Sequence, residues 1–125
     1  MEMDSIDLLE MHCSEPEPGQ FAMTDVEIGY YAKHITGWRL IENEGEKGLG
    51  KRFPFADFAE GHVFTNRIAA LAEAENHHPA IFLAWGRVII SWRTHKVGGL
   101  HLNDFIMAAK TDEVYRELSD KKLDK

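Results

Sequence analysis

Histidine has a reference pKa of about 6.5, so it can give or take a proton near neutrality. Four of the seven histidines, His77, His78, His95 and His101, fall within twenty-five residues of one another. The first two precede Pro79. A residue before proline is driven out of the α region, so His78 is expected to be extended while His77 stays in the last turn of a helix, with the two rings pointing apart. Glu73 stands four residues before His77 on the same helical face, where its carboxylate is expected to orient the imidazole and favour its protonated form. The helix C-terminus adds potential of the same sense, worth about 0.3–1 kcal/mol for an exposed cation. His77 is thus a candidate proton donor. His95 follows a strand that ends at Arg93-Thr94 and, by alternation, shares the face of Ser91 and Arg93, away from the apolar row Val88, Ile90, Trp92. Asp104, in the first turn of a final helix, is expected either to cap that helix or to orient a nearby imidazole.

Each of these residues also has an ordinary structural reading. Paired histidines before a proline can simply stop a helix, Glu73 can be a solvated helix carboxylate, and Asp104 can be only a cap. Zinc is the sharper rival for a histidine cluster. The chain has no H-E-x-x-H, no H-x-H and no cysteine pair, so no metal site is expected. Cys13 has no activating neighbour evident in the sequence and is read as an inert thiol. His12, His34 and His62 are read as surface residues. Gly48-Leu49-Gly50-Lys51 lacks the spacing of a phosphate loop.

The elements that must position these groups follow from periodicity and caps. Residues 1–23 form a leader, expected to be partly disordered, broken by Pro16, Pro18 and Gly19. Thr24 and Glu27 have capping-box spacing, and Ile28, Tyr31 and Ile35 share a face, predicting a helix over 24–36 closed by Gly37. Trp38, Leu40, Leu49, Phe53 and Phe55 sit at even spacings around the polar stretch 44–48, which reads as a hairpin with Pro54 at an edge or end. Asp57 and Glu60 repeat the capping spacing, and Phe64, Ile68, Leu71, Ala72 and Glu75 trace a helix over 57–77. Residues 81–94 read as two strands turned at Gly86, and a last helix runs from about Leu102 through Leu118. The order helix, two strands, helix, two strands, helix predicts an α+β fold. A single domain over 24–120 is followed by a charged tail, 121–125.

Composition narrows the class of partner. The 125 residues carry a formal charge of -7, with 44% hydrophobic and 28% charged residues. That charge repels phosphate backbones and anionic membranes, so neither nucleic acid nor a membrane is an expected partner. One cysteine and an acidic N-terminal stretch point to a cytoplasmic protein. A domain of this size hides only about two-thirds of its unfolded surface, so association would help it.

Read together, Glu73-x-x-x-His77-His78-Pro79, Trp85, Thr94-His95, Gly99-Leu100 and Asp104 resemble the signature of the pterin-4a-carbinolamine dehydratase family. The resemblance extends over about residues 24–118 through Gly37-Trp38, Phe53-Pro54-Phe55, Asp57-Phe58 and the Phe64 helix. Trp85-Gly86-Arg87-Val88 and the run from Leu100 to Ala109 are similar to bacterial forms associated with phenylalanine hydroxylase. The resemblance implies a four-stranded antiparallel sheet with three helices on one face and subunits that associate as homodimers or homotetramers. It also implies a pterin substrate, a 4a-hydroxytetrahydropterin made by an aromatic amino acid hydroxylase, dehydrated without a cofactor. His77 and His95 are then the acid–base candidates, His78 mainly holds the pterin, Thr94 contacts substrate, and Glu73 and Asp104 support them. His101 stands where many relatives have Ser or Thr, a poorer cap, and Ser14-Glu15-Pro16 replaces a second cysteine found in bacterial relatives. Animal relatives also act as dimerisation partners of a transcription factor. A binding role on the same fold, or dehydration of another pterin, are therefore the alternatives.

Overall fold

The first helix begins as its spacing predicts. The Thr24 hydroxyl accepts from the Glu27 amide at 3.3 Å while the Glu27 carboxylate accepts from the Thr24 amide at 2.8 Å, a complete capping box. The computed structural model describes residues 7–123, so the start of the leader and the end of the charged tail lie outside the described residues. The elements are α1 (Asp25–Ala32), β1 (Arg39–Asn43), β2 (Glu46–Pro54), α2 (Phe58–Glu75), β3 (Ala80–Ala84), β4 (Arg87–Trp92) and α3 (Leu102–Leu123), with short 3-10 turns at Leu8–Glu10 and His95–Val97. This is the expected α+β order. α1 stops short of residue 36, yet Ile35 is still buried beyond its end.

The sheet order is β1-β2-β4-β3 with every neighbour antiparallel. The first hairpin closes more tightly than the polar stretch suggests. Glu44 and Gly45 both have positive φ, 53° and 82°, the backbone of a two-residue turn whose twist matches the strands, and β2 resumes at Glu46. On the helix-facing side Val88, Ile90 and Trp92 of β4 are fully buried and cluster with Phe53, with Phe64, Ile68 and Ala72 of α2, and with Met107 of α3. α2 approaches the sheet at Gly61, where an added Cβ would sit 3.1 Å from Leu83 Cδ1 and 3.2 Å from Val88 Cγ2. Among the described residues no helix covers the opposite face of the sheet, which presents Ile41, Phe82 and Ile89, all exposed.

Residues 7–23 run across this body. Leu8 is buried with Ile28, Leu100, Phe105 and Ile106, Lys110 Nζ donates to the Leu9 carbonyl at 2.8 Å, and the Met23 amide donates to the Leu100 carbonyl at 2.8 Å. Among the described residues no helix is long and apolar enough to cross a membrane.

Candidate active site

The end of α2 sets the geometry of the histidine pair. Asp57 starts the helix by accepting from the Glu60 amide at 2.9 Å. Asn76 ends it in the left-handed conformation, φ 55° and ψ 41°, which asparagine tolerates better than most residues. The helix ends two residues earlier than expected, and His77 lies outside it. The expected pairing of Glu73 with His77 is therefore not formed. Glu73 Oε2 instead meets His78 Nε2 at 2.6 Å, an exposed contact, and His77 swings to Asp104.

Asp104 is completely buried and accepts three hydrogen bonds. His77 Nε2 lies 2.7 Å from Oδ1, while the Thr94 hydroxyl at 2.8 Å and the His101 amide at 3.0 Å both donate to Oδ2. Three donors satisfy a carboxylate that has left water. A carboxylate offers no proton, so its partner nitrogen must carry one. That fixes Nε2–H and leaves Nδ1 of His77 as the ring nitrogen that Asp104 does not engage. The ring also stacks on Trp92, centroids 5.6 Å apart at 19°, and the indole N–H is anchored on the Thr111 hydroxyl at 3.2 Å. Of the two roles expected for Asp104, it fills both: it orients an imidazole and closes the start of α3.

His101 completes that start. Its Nδ1 accepts from the Asn103 amide at 3.0 Å while Asp104, three residues after His101, reaches back to the His101 amide. The arrangement resembles a capping box in which imidazole replaces the hydroxyl and accepts from the amide two residues on rather than three. Burial is the largest influence on this ring and lowers its pKa below the usual 6.5; the Asp104 carboxylate pulls upward and His77 adds to the lowering.

The remaining expected residues frame the opening. His95 sits beyond β4, in the 3-10 turn His95–Val97, and its Nδ1 is 3.1 Å from the Glu46 carboxylate, which also faces Arg93 at 3.4 Å. The His95 ring is 86% exposed and that of His78 54%, against 13% for His77, so one guarded imidazole faces two accessible ones. Thr94 is buried, and its hydroxyl proton is committed to Asp104. His77, His78, Thr94 and His95 line one cleft of about 410 Å³, within the range that small-molecule sites occupy. The sequence had not pointed to its other wall, Cys13, Ser14, Glu15 and Pro16, or to Glu75 and Asn103 beneath it. Burial, with the Glu75 and Asp104 charges, pushes the Cys13 thiol up to about 12. Burial also acts to raise Glu75, but the Cys13 amide and the His12 ring outweigh it and hold that carboxyl below its usual range. Among the described residues no group of three or more His, Cys, Asp or Glu side chains is placed to hold a metal ion. A guarded imidazole backed by a carboxylate, facing two open ones, suits proton transfer to and from a small ligand.

Comparison with known proteins points the same way. The family model described as pterin 4 alpha carbinolamine dehydratase matches residues 22–114. A Marinobacter nauticus protein named for pterin-4-alpha-carbinolamine dehydratase is 50% identical over 103 residues, 82% of this chain and 90% of that one. Among solved structures, a transcriptional coactivator/pterin dehydratase from Brucella melitensis is 29% identical with a TM-score of 0.68, covering 75% of this chain and 98% of that one. A pterin dehydratase-like protein described as a RuBisCO assembly factor in the alpha-carboxysome is 26% identical with a TM-score of 0.55, covering 66% and 93%.

Proposed function

The chain belongs to the pterin 4 alpha carbinolamine dehydratase family, and from that premise we propose that it dehydrates 4a-hydroxytetrahydropterin to quinonoid dihydropterin, recycling the cofactor of an aromatic amino acid hydroxylase. In this elimination the C4a–O bond breaks, a C4a–N5 double bond forms, N5 gives up its proton, and the departing oxygen takes one and leaves as water. No electrons leave the pterin, so one acid and one base suffice. His77 protonates the leaving oxygen from Nδ1. The buried Asp104 carboxylate holds the ring in place and stabilises its protonated form through Nε2. His95 accepts the N5 proton, and His78, backed by Glu73, holds the pterin. Thr94 acts through Asp104.

The observation that carries this reading is the His77–Asp104 contact at 2.7 Å, with Asp104 fully buried. A surface histidine needs no such support, whereas a proton donor with one nitrogen fixed and one free does. Steady-state kinetics test the division of roles. His77→Ala and His95→Ala should each lower kcat by about 10²–10⁴-fold, and His78→Ala should mainly raise KM. Equal effects of all three on KM alone would refute it.

A second reading, a binding or assembly role on the same fold, is favoured by the likeness to the RuBisCO assembly factor. It predicts a folded protein that retains pterin without consuming the carbinolamine. Dehydration of a different pterin would show as turnover only with that substrate. For the setting we infer a cytoplasmic protein, consistent with one cysteine and a charge of -7, and a homodimer or homotetramer, in which the exposed Ile41, Phe82 and Ile89 would find cover.

A further inference from the structure

An N-terminal segment with no role would have little reason to be fixed across a polar cleft, yet residues 12–16 are tied down at several points. The Asn103 side chain brackets Ser14: its Oδ1 accepts from the Ser14 amide at 3.1 Å and its Nδ2 donates to the Ser14 carbonyl at 2.7 Å. One amide thus satisfies both backbone polar groups of a single residue, as a neighbouring strand would. Glu75 holds the preceding residues, accepting from the Cys13 amide at 2.8 Å through Oε1 and meeting His12 Nδ1 at 2.7 Å through Oε2. Asn103 is 4% exposed and the Glu75 side chain 9%, so these are buried polar groups whose partners lie in the N-terminal segment. At the far end Glu15 pairs with Lys96, in the same turn as His95.

The placement gives the segment a task. Cys13, Ser14, Glu15 and Pro16 line the same cleft as His77, His78 and His95. Their removal would leave that cleft lined by the end of α2, the turn after β4 and Asn103 at the start of α3. We propose that residues 12–16 are a wall of the ligand site, a strap that covers one side of a bound reduced pterin, with Asn103 and Glu75 as its positioning residues. This rests on the dehydratase reading for the identity of the ligand. The strap has a firm end and a yielding one. The Asn103 bonds and the bond from the Cys13 amide to Glu75 are part-buried, whereas Glu15 and Lys96 are 66% and 64% exposed, a pair of the kind that contributes little and can part to admit the ligand. A strap released from Asn103 would cover the ligand in only a fraction of molecules, and apparent affinity falls by that fraction.

The test compares wild type with Asn103→Ala, which removes the bracket from below, and Ser14→Pro, which removes the donated proton from the strap side and leaves the side chains of α2 and α3 unchanged. Binding of stable 7,8-dihydrobiopterin is titrated by fluorescence, turnover of 4a-hydroxytetrahydropterin is measured on the same samples, and amide exchange is followed at Cys13 in all three proteins and at Ser14 in wild type and Asn103→Ala, since proline has no amide proton. The expected result is a rise of about tenfold in Kd for both variants, equivalent to about 1.4 kcal/mol. The rise in KM should match it, the loss should fall on KM more than on kcat, and exchange should be fast at the strap alone. Ligand should slow strap exchange in wild type. An unchanged Kd in Ser14→Pro, or strap exchange indifferent to ligand, overturns the strap whatever the turnover. Ligand-protected strap amides without turnover in wild type would leave the strap standing and remove the dehydratase reading.

Discussion

Replacing Asp104 by asparagine isolates the contact on which the chemistry depends. The carboxylate accepts from His77, Thr94 and the His101 amide together, and an amide of the same shape has one acceptor oxygen and one donor nitrogen. If the nitrogen faces His77, Nε2 must become an acceptor and the proton moves to Nδ1, the wrong tautomer for a group that cycles protons there. If it faces Thr94, the hydroxyl can rotate to accept but the backbone amide of His101 cannot, and a buried donor is left unpaired at about 1–3 kcal/mol. For the reaction, a hydrogen bond to a charged partner contributes about 1.5–3 kcal/mol, which at 1.36 kcal/mol per decade is a loss of about 10–150-fold in kcat. Stopped-flow turnover gives kcat, and urea unfolding of the same preparation gives the stability loss. Glu73→Gln is the control, because Glu73 supports only the exposed His78 and should cost kcat less than about threefold. Asp104→Asn turning over within twofold of wild type, or Glu73→Gln falling as far as Asp104→Asn, would refute the reasoning.

The other predictions concern the supports of the site. His101 has a folded-state pKa below 6.5, so the unfolded chain takes up the proton first. Its contribution to stability is complete above pH 6.5 and is lost as pH falls through the folded value. His101→Ser keeps a capping oxygen without that titration, so urea unfolding at pH 7.5 and 5 should show a smaller acid loss than wild type, and an equal loss would contradict the cap assignment. With its thiol at about 12, Cys13 should react with iodoacetamide far more slowly in the native protein at pH 8 than in urea; equal rates would contradict its burial. Asn76→Gly should be nearly neutral, whereas Asn76→Ala, which must hold φ near 55°, should lose about 1–2 kcal/mol in the same unfolding assay. Equal losses would show that the left-handed turn does not matter.

The parts of this structure legible in the sequence are those governed by local rules. Thr24 with Glu27 and Asp57 with Glu60 announce helix starts because capping acts over three residues. Val88, Ile90 and Trp92 announce a buried strand face because alternation is a property of the pleat. The pairing of Glu73 with His77 failed for an equally local reason, since Asn76 entered the left-handed conformation and took His77 off the helix. His101 was read as a poorer cap than Ser or Thr, yet its ring nitrogen accepts from the Asn103 amide, because a neutral imidazole presents one acceptor. Nothing local could have shown that Glu75 meets His12 and Cys13 across more than sixty residues, or that Asn103 holds Ser14 across eighty-nine. Those contacts exist only once α2, α3 and the N-terminal segment have packed together.

The most direct measurement of the central claim follows the decay of 4a-hydroxytetrahydropterin, generated by a phenylalanine hydroxylase, by stopped-flow absorbance with and without catalytic amounts of the protein. Wild type should accelerate the decay, and His77→Ala and His95→Ala proteins of native fold should not. Decay at the spontaneous rate with folded wild-type protein, or acceleration that survives both substitutions, would contradict that claim.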